Sequence, residues 1–268
     1  MSRWRFVDSG PLPGRLNMAI DEVLLRLHER GESPPTLRLY QWRPPAVSLG
    51  YFQRRHRLDH GACRRLGLEV VRRPTGGRAV LHLDDLTYSV VAGDPEELPA
   101  SPAAAYRLLC EGLRAGLRLL GVEAEPGREA LKPPQPEVCF LRQTAADIVH
   151  RGRKLVGSAQ TWRGTSLLQH GSIVLKPQAQ ALSAVFGAEE QALEARLTSL
   201  SEILGRTVEA EEVGQAIREG LASLLGVSFE AGELSSEEWA LARRIAAQEE
   251  VLPCPAKTTA ASLSAVCR

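Results

Sequence analysis

The 268-residue sequence predicts an α/β or α+β fold, a mixed sheet flanked by helices. Three observations carry this reading. Short runs rich in β-branched and aromatic residues, bounded by Pro, Gly and Asp, recur between 36 and 93 and again after the proline-rich stretch 126–136. Helical patterns precede, separate and follow these runs. The chain is 44% hydrophobic and 24% charged, the composition of a globular protein long enough to bury a sizeable core.

Taken in order, Leu16, Ile20, Val23, Leu24 and Leu27 repeat at helical spacing, and Gly31 with Pro34-Pro35 ends that helix. TLRLYQW (36–42) and AVSLGYF (46–52) read as strands with Pro44-Pro45 as the turn between them. A short helix is expected over 56–66. LEVVRR, RAVLHL and LTYSVVAG (86–93) then form a strand series, punctuated by Pro74-Thr75-Gly76-Gly77 and Asp84-Asp85. Ser101-Pro102 opens a helix with Tyr106, Leu109, Cys110, Leu113, Leu117 and Leu120 on one face. Three strand candidates follow the proline-rich loop: VCFLRQTAADIVHRG, KLVGSAQTW and SLLQHGSIVL. From about 178 the pattern is helical and charged. Residues 1–250 read as a single catalytic domain and 251–268 as a flexible C-terminal tail.

Charge and cysteine usage exclude several classes. Lys+Arg is 33 and Asp+Glu 32, so nothing global points to nucleic acid or an anionic membrane as partner. No apolar run approaches the ~18 residues of a membrane span, and the first residues lack a signal-peptide pattern. The five cysteines show no metal-binding spacing. A cytoplasmic protein with reduced thiols, no metal and no bound cofactor is expected.

Chemistry concentrates in three stretches. In Arg72-Arg73-Pro74-Thr75-Gly76-Gly77-Arg78-Ala79-Val80-Leu81-His82, two glycines let backbone approach a ligand and the arginines suit an anion. A plain hairpin turn explains the glycines equally well, and no Walker sequence is present. In Gly152-Arg153-Lys154-Leu155-Val156-Gly157-Ser158, Lys154 stands out because the chain holds four lysines against 29 arginines. Partial burial and the flanking Arg151 and Arg153 are expected to lower its pKa, which suits polarising a carbonyl or exchanging a proton; the bland alternative is a solvated cation. In Leu168-Gln169-His170-Gly171-Ser172-Ile173, His170 and Gln169 are either site groups or satisfied core polar groups. Among the thiols, Cys110 reads as packing and Cys139, after the proline-rich loop, as a candidate acyl-carrying nucleophile.

Seven stretches occur together in one order: Asn17-Met18-Ala19-Ile20-Asp21-Glu22, LRLYQWRPPAVSLGYFQ, RRPTGGRAVLH, LTYSV, VCF, GRKLVGSAQ and LQHGSI. Over most of the chain they resemble the biotin/lipoate protein ligase family, most closely its octanoyltransferases of the LipM type. The ATP-using ligases of that family usually carry a third glycine where Arg78 stands. Octanoyltransferases of the other common type place their cysteine after the lysine strand.

The resemblance implies the catalytic fold of that family and transfer of an octanoyl group from octanoyl-acyl carrier protein to a lysine of a lipoyl domain. The glycine cleavage H protein is the implied first acceptor. It further implies that Cys139 holds the acyl thioester and Lys154 contacts its carbonyl. Arg73, Gly76, Gly77, Arg78 and His82, with Gly157, Ser158 and His170, are implied to line the substrate. Two rivals stay open: an ATP-dependent lipoate ligase, and a non-enzymatic acyl-binding protein on the same fold.

Overall fold

The computed structural model describes residues 2–53, 58–93, 97–127 and 147–248. The chain runs β1 (Ser2–Leu12), α1 (Gly14–Glu29), β2 (Thr36–Trp42), β3 (Ala46–Leu49), α2 (His60–Arg65), β4 (Glu69–Arg72), β5 (Val80–His82) and β6 (Asp85–Ala92). It continues through α3 (Pro102–Leu119), β7 (Glu125–Pro126), β8 (Ile148–His150), β9 (Arg153–Arg163) and β10 (Ser166–Val174). The last elements are α4 (Ala179–Phe186), α5 (Glu190–Glu194), α6 (Leu200–Leu204), α7 (Ala210–Leu225), β11 (Val227–Ala231) and α8 (Ser236–Gln248).

Eight strands form a mixed sheet in the order β11-β1-β2-β6-β10-β9-β8-β7, and a smaller sheet holds β4-β3-β5. The expected mixed sheet with helices is therefore present, with two differences. β1 and β11 are strands that local patterning does not announce; each is held by parallel pairing to the other, Ser2 opposite Val227. The second is that β2 and β3 do not pair as a hairpin. They belong to different sheets, β3 stopping at Leu49 and giving way to a turn closed by Gln53 N–H donating to the Gly50 carbonyl at 2.9 Å.

Strand alternation sorts the core into two faces. Leu37 and Leu39 of β2, Leu86, Tyr88 and Val90 of β6, and Leu167 and Ile173 of β10 pack with α3 and α7 in the largest apolar cluster. The intervening residues, Arg38, Tyr40, Thr87, Ser89, His170 and Ser172, are as buried but polar, and they lie on the opposite face. Part of that face is covered by α1, which packs on α8 through Leu24, Leu27 and Leu241; further along stands the small sheet.

Where α3 meets α7 the helices touch backbone to backbone. A Cβ placed on Gly220 would fall on the amide nitrogen of Gly116 and within 2.6 Å of the Gly112 carbonyl oxygen. Main chain cannot yield there as a side chain can. Gly220→Ala should therefore destabilise the protein by about 2 kcal/mol despite alanine's better helix propensity. The urea midpoint should fall while activity per folded molecule is kept, because α3 and α7 lie on the face away from the buried polar residues.

Candidate active site

The polar face opens into a cavity whose empty space is ≈ 510 Å³, open solvent at its mouth included. Its apolar lining comes from Met18, Tyr40 and Trp42, and its polar lining includes Ser48, Arg73, His82, Thr87, Lys154, Ser158 and His170. Gly77, Gly157 and Gly171 contribute bare backbone to the wall.

Behind this wall lies one buried carboxylate. Asp21 of α1 accepts from Arg38 Nη1 at 2.8 Å and Ser89 Oγ at 2.9 Å on Oδ1. On Oδ2 it accepts from Tyr40 at 2.8 Å and meets His170 Nδ1 at 2.9 Å. Burial pulls the Asp21 carboxyl upward, but the His170 hydrogen bond and the Arg38 charge outweigh it and hold the group below its ordinary value. Burial pushes the His170 imidazole below its ordinary value against the pull of Asp21, so the ring is neutral near neutral pH. A neutral ring donates from Nδ1 to the carboxylate and leaves Nε2 as acceptor for the Thr75 hydroxyl, 2.6 Å away. Asp21 thus reaches the Gly-Gly loop through His170.

That loop is tied down from several sides. Arg73 donates to the carbonyls of Ser48 (3.0 Å), Gly76 (2.8 Å) and Arg78 (2.7 Å), so its guanidinium holds backbone. Arg72 does the same for Gly50, Tyr51 and Gln53. Of the two loop glycines only Gly77 is demanded by geometry: φ is +91°, and a Cβ would meet Arg73 Nη2 at 2.7 Å. Gly76 has open space around it. Arg78 is half-buried at the loop's end. A second carboxylate, Asp85, accepts from His82 Nδ1 (2.8 Å), Thr87 (3.1 Å) and Ser172 (2.6 Å). His82 reaches Ser48 Oγ at 2.9 Å through Nε2 and stacks on Trp42 at 3.9 Å.

Lys154 on β9 is 2% exposed, and its Nζ lies 2.8 Å from Asp147 Oδ1. Its alkyl end passes over Gly157, where a Cβ would come within 2.9 Å of Cε. Burial here is deeper than the sequence suggests, and the flanking arginines do not face the amine. Arg153 pairs with Glu202 at 3.4 Å, and Arg151 sits exposed in a turn with φ +49°. Lys154 and Asp147 thus form a buried ion pair in the cavity wall.

Seven of the anticipated residues therefore share one cavity: Arg73, Gly77, His82, Lys154, Gly157, Ser158 and His170. Cys139 lies outside the described residues. Cys110 is packed beside Tyr106 and Gln169, and burial pushes its thiol up to about 12, which makes it inert. Asp147, Asp85, Arg38 and Thr75 carry no individual role in the sequence reading, although Thr75 lies within the Gly-Gly stretch. A signal for Arg38 exists, a charge at an inward position of the alternating TLRLYQW. Among the described residues no group of three or more His, Cys, Asp or Glu could hold a metal ion, and no helix is long and apolar enough to cross a membrane.

Residues 13–222 match the lipoyl protein ligase A/B catalytic domain family. An octanoyltransferase LipM from Kyrpidia tusciae is 43% identical over 264 residues, which cover 92% of this chain and 96% of that protein. The octanoyltransferase LipM of Bacillus subtilis is 38% identical over 252 residues, 88% and 91% of the two chains. Among solved structures, a lipoate-protein ligase A bound with ATP aligns with TM-score 0.77 at 26% identity, covering 92% of this chain and 95% of that one. A putative lipoate protein ligase from T. acidophilum with bound lipoic acid aligns with TM-score 0.75 at 27% identity, covering 91% and 94%.

The neutral His170 has a consequence for stability. Its pKa is depressed in the folded state, so below the unfolded value of about 6.5 the unfolded chain binds a proton that the folded chain refuses. Stability contributed by neutral His170 is therefore lost as pH falls through that value. Asp21, depressed as well, adds its own loss only at more acid pH, below about 4. Between about pH 7 and 5 the urea midpoint should fall, and His170→Gln should flatten that slope. An equal slope in the variant would show that the ring is already protonated in the folded protein.

Proposed function

The chain belongs to the lipoyl protein ligase A/B catalytic domain family, and from that premise we propose how it transfers an octanoyl group. It is an octanoyltransferase of lipoate biosynthesis. The donor is octanoyl-acyl carrier protein and the acceptor a lysine of a lipoyl domain, the glycine cleavage H protein first among them. Residues 1–250 form the catalytic domain, working in the cytoplasm without metal or cofactor.

The observation that carries this reading is the buried Lys154–Asp147 pair set in the wall of a cavity with an apolar lining. The acyl chain lies against Met18, Tyr40 and Trp42, each buried methylene contributing ~0.8 kcal/mol. The Cys139 thiolate attacks the thioester carbon, the bond to the carrier's sulfur breaks, and the carrier leaves as its thiolate while the new thioester forms. The acceptor amine then attacks that thioester, the amide forms, the amine's proton departs and the Cys139 thiolate returns. In both steps negative charge builds on the carbonyl oxygen. Lys154, held as an ammonium by Asp147, donates to that oxygen without reorganising. Arg73, Gly76, Gly77 and Arg78 shape the mouth; His82, Gly157, Ser158 and His170 complete the wall. Gly157 lets the lysine head pass.

One observation favours a second reading: the likeness to a ligase whose structure holds ATP. The two readings differ in their energy source, because thioester-to-amide transfer is downhill and needs no nucleotide.

With octanoyl-carrier protein and nucleotide removed by apyrase, the intact mass should rise by one octanoyl group on Cys139, and a lipoyl domain should then discharge it. Cys139→Ala should lose both signals and Cys110→Ala neither. Dependence on ATP and free acid would transfer the protein to the ligase class. Lys154→Arg should fold but lose turnover about 100-fold, the scale of a lost oxyanion donor. Lys176→Arg, at an exposed residue paired with Asp84, should be nearly silent.

A further inference from the structure

Four large hydrophobic side chains stand out from the surface of the described residues, and Phe52 is the most exposed at 82%. Tyr51 beside it is 56% exposed, and the two rings meet edge to face at 4.9 Å. An exposed aromatic pair on a floppy loop would mean little. This pair sits on a fixed turn. Tyr51 N–H donates to the Thr75 carbonyl at 2.8 Å, and Gln53 N–H donates to Gly50. Arg72 grips the carbonyls of Gly50, Tyr51 and Gln53 from below. The turn also packs on the Gly-Gly loop, since a Cβ at Gly50 would fall on the Gly77 carbonyl oxygen. Ser48 and Gly77 both line the cavity, so the aromatic pair stands at its mouth.

The two stretches that build this turn, 48–53 and 72–80, hold three arginines and no Asp or Glu, with Arg72 and Arg78 half-buried and Arg73 buried. Rigid aromatics on a turn with arginines and no acid are the composition of a docking surface for an acidic protein face. Reach selects between the two proteins that must visit this mouth. A carrier presents its acyl group on a long pantetheine arm and can sit well away. An acceptor lysine has only its own four-carbon stem, so the body of the acceptor must rest on the rim itself.

We propose that Tyr51 and Phe52 form the docking platform for the acceptor, a domain that offers its target lysine on a projecting turn with acidic side chains around it. The proposal rests on the octanoyltransferase reading above, and the half-reactions separate the two. The platform engages after the enzyme is acylated, so it acts on the second step alone. Screening should weaken it, because part of the attraction is between exposed charges.

The test uses Phe52→Ser and Tyr51→Ser in the full chain, with octanoyl-carrier protein and a lipoyl domain. Loading of the enzyme from the carrier should stay within about twofold of wild type, while KM for the lipoyl domain should rise about tenfold or more, the scale of a lost aromatic anchor. Transfer to a short lysine peptide should be unchanged, and added salt should raise KM for the domain in wild type. Equal slowing of loading would assign the platform to the carrier and overturn the proposal. An unchanged KM for the domain would overturn it as well. Failure of the wild type to load at all would instead refute the octanoyl-transfer mechanism.

Discussion

The structure depends on one carboxylate out of reach of water. Asp21 is fully buried, and such a charge is tolerated only when every lone pair is met. Arg38, Tyr40, Ser89 and His170 meet it, and they come from β2, β6 and β10, three neighbouring strands of the large sheet. Arg38 is anchored in turn by Asn17 Oδ1 at 2.6 Å and Ser9 Oγ at 2.8 Å. The network locks α1 onto the sheet in one register, because any shift of the helix would strand a buried charge. Removing one partner from such a network commonly costs about 3–5 kcal/mol. The same network orients His170 and through it Thr75, so the carboxylate that fixes the fold also fixes the Gly-Gly loop.

Small residues let this rigid scaffold come close to itself where the chemistry needs it. Gly50 and Gly77 allow two loops to touch, and Gly157 allows the Lys154 head to cross β9. Gly171 sits where a Cβ would strike the Gly157 carbonyl and Ser158 Oγ, so β9 and β10 keep their flat contact behind the cavity. Arginine plays the complementary part. Arg72 and Arg73 read in sequence as anion clamps, yet their donors are engaged by main-chain carbonyls. Their planar forks brace the mouth.

Much of this was legible from residues alone. The helix at 14–29, strands β2 to β6, the second long helix and the lysine strand all carry strong local patterns, and seven anticipated residues converge on one cavity. What was not legible depends on contacts distant in sequence. Ser2–Leu12 contains Gly10 and Pro11 and lacks clean alternation, and Val227–Ala231 is short and follows a helix; β1 is held by parallel pairing to both β2 and β11, and β11 by pairing to β1. Asp147 has no motif around it, and the irregular register of β8 with β9 is what brings it to Lys154. Asp21 had a readable sign, an acid with Asn17 on the face of α1 that carries Met18 and Leu24, where a surface charge does not belong.

The claim on which these arguments converge is that His170 is neutral, carries its proton on Nδ1 toward Asp21, and accepts from Thr75 on Nε2. Nitrogen-15 NMR of the histidine rings reads this directly, with His170→Gln identifying the signal. The account predicts one protonated and one bare ring nitrogen at neutral pH, with the protonated one assigned to Nδ1. An imidazolium, or a proton on Nε2, would contradict it, because Nε2 would then donate to the Thr75 hydroxyl oxygen instead of accepting from it.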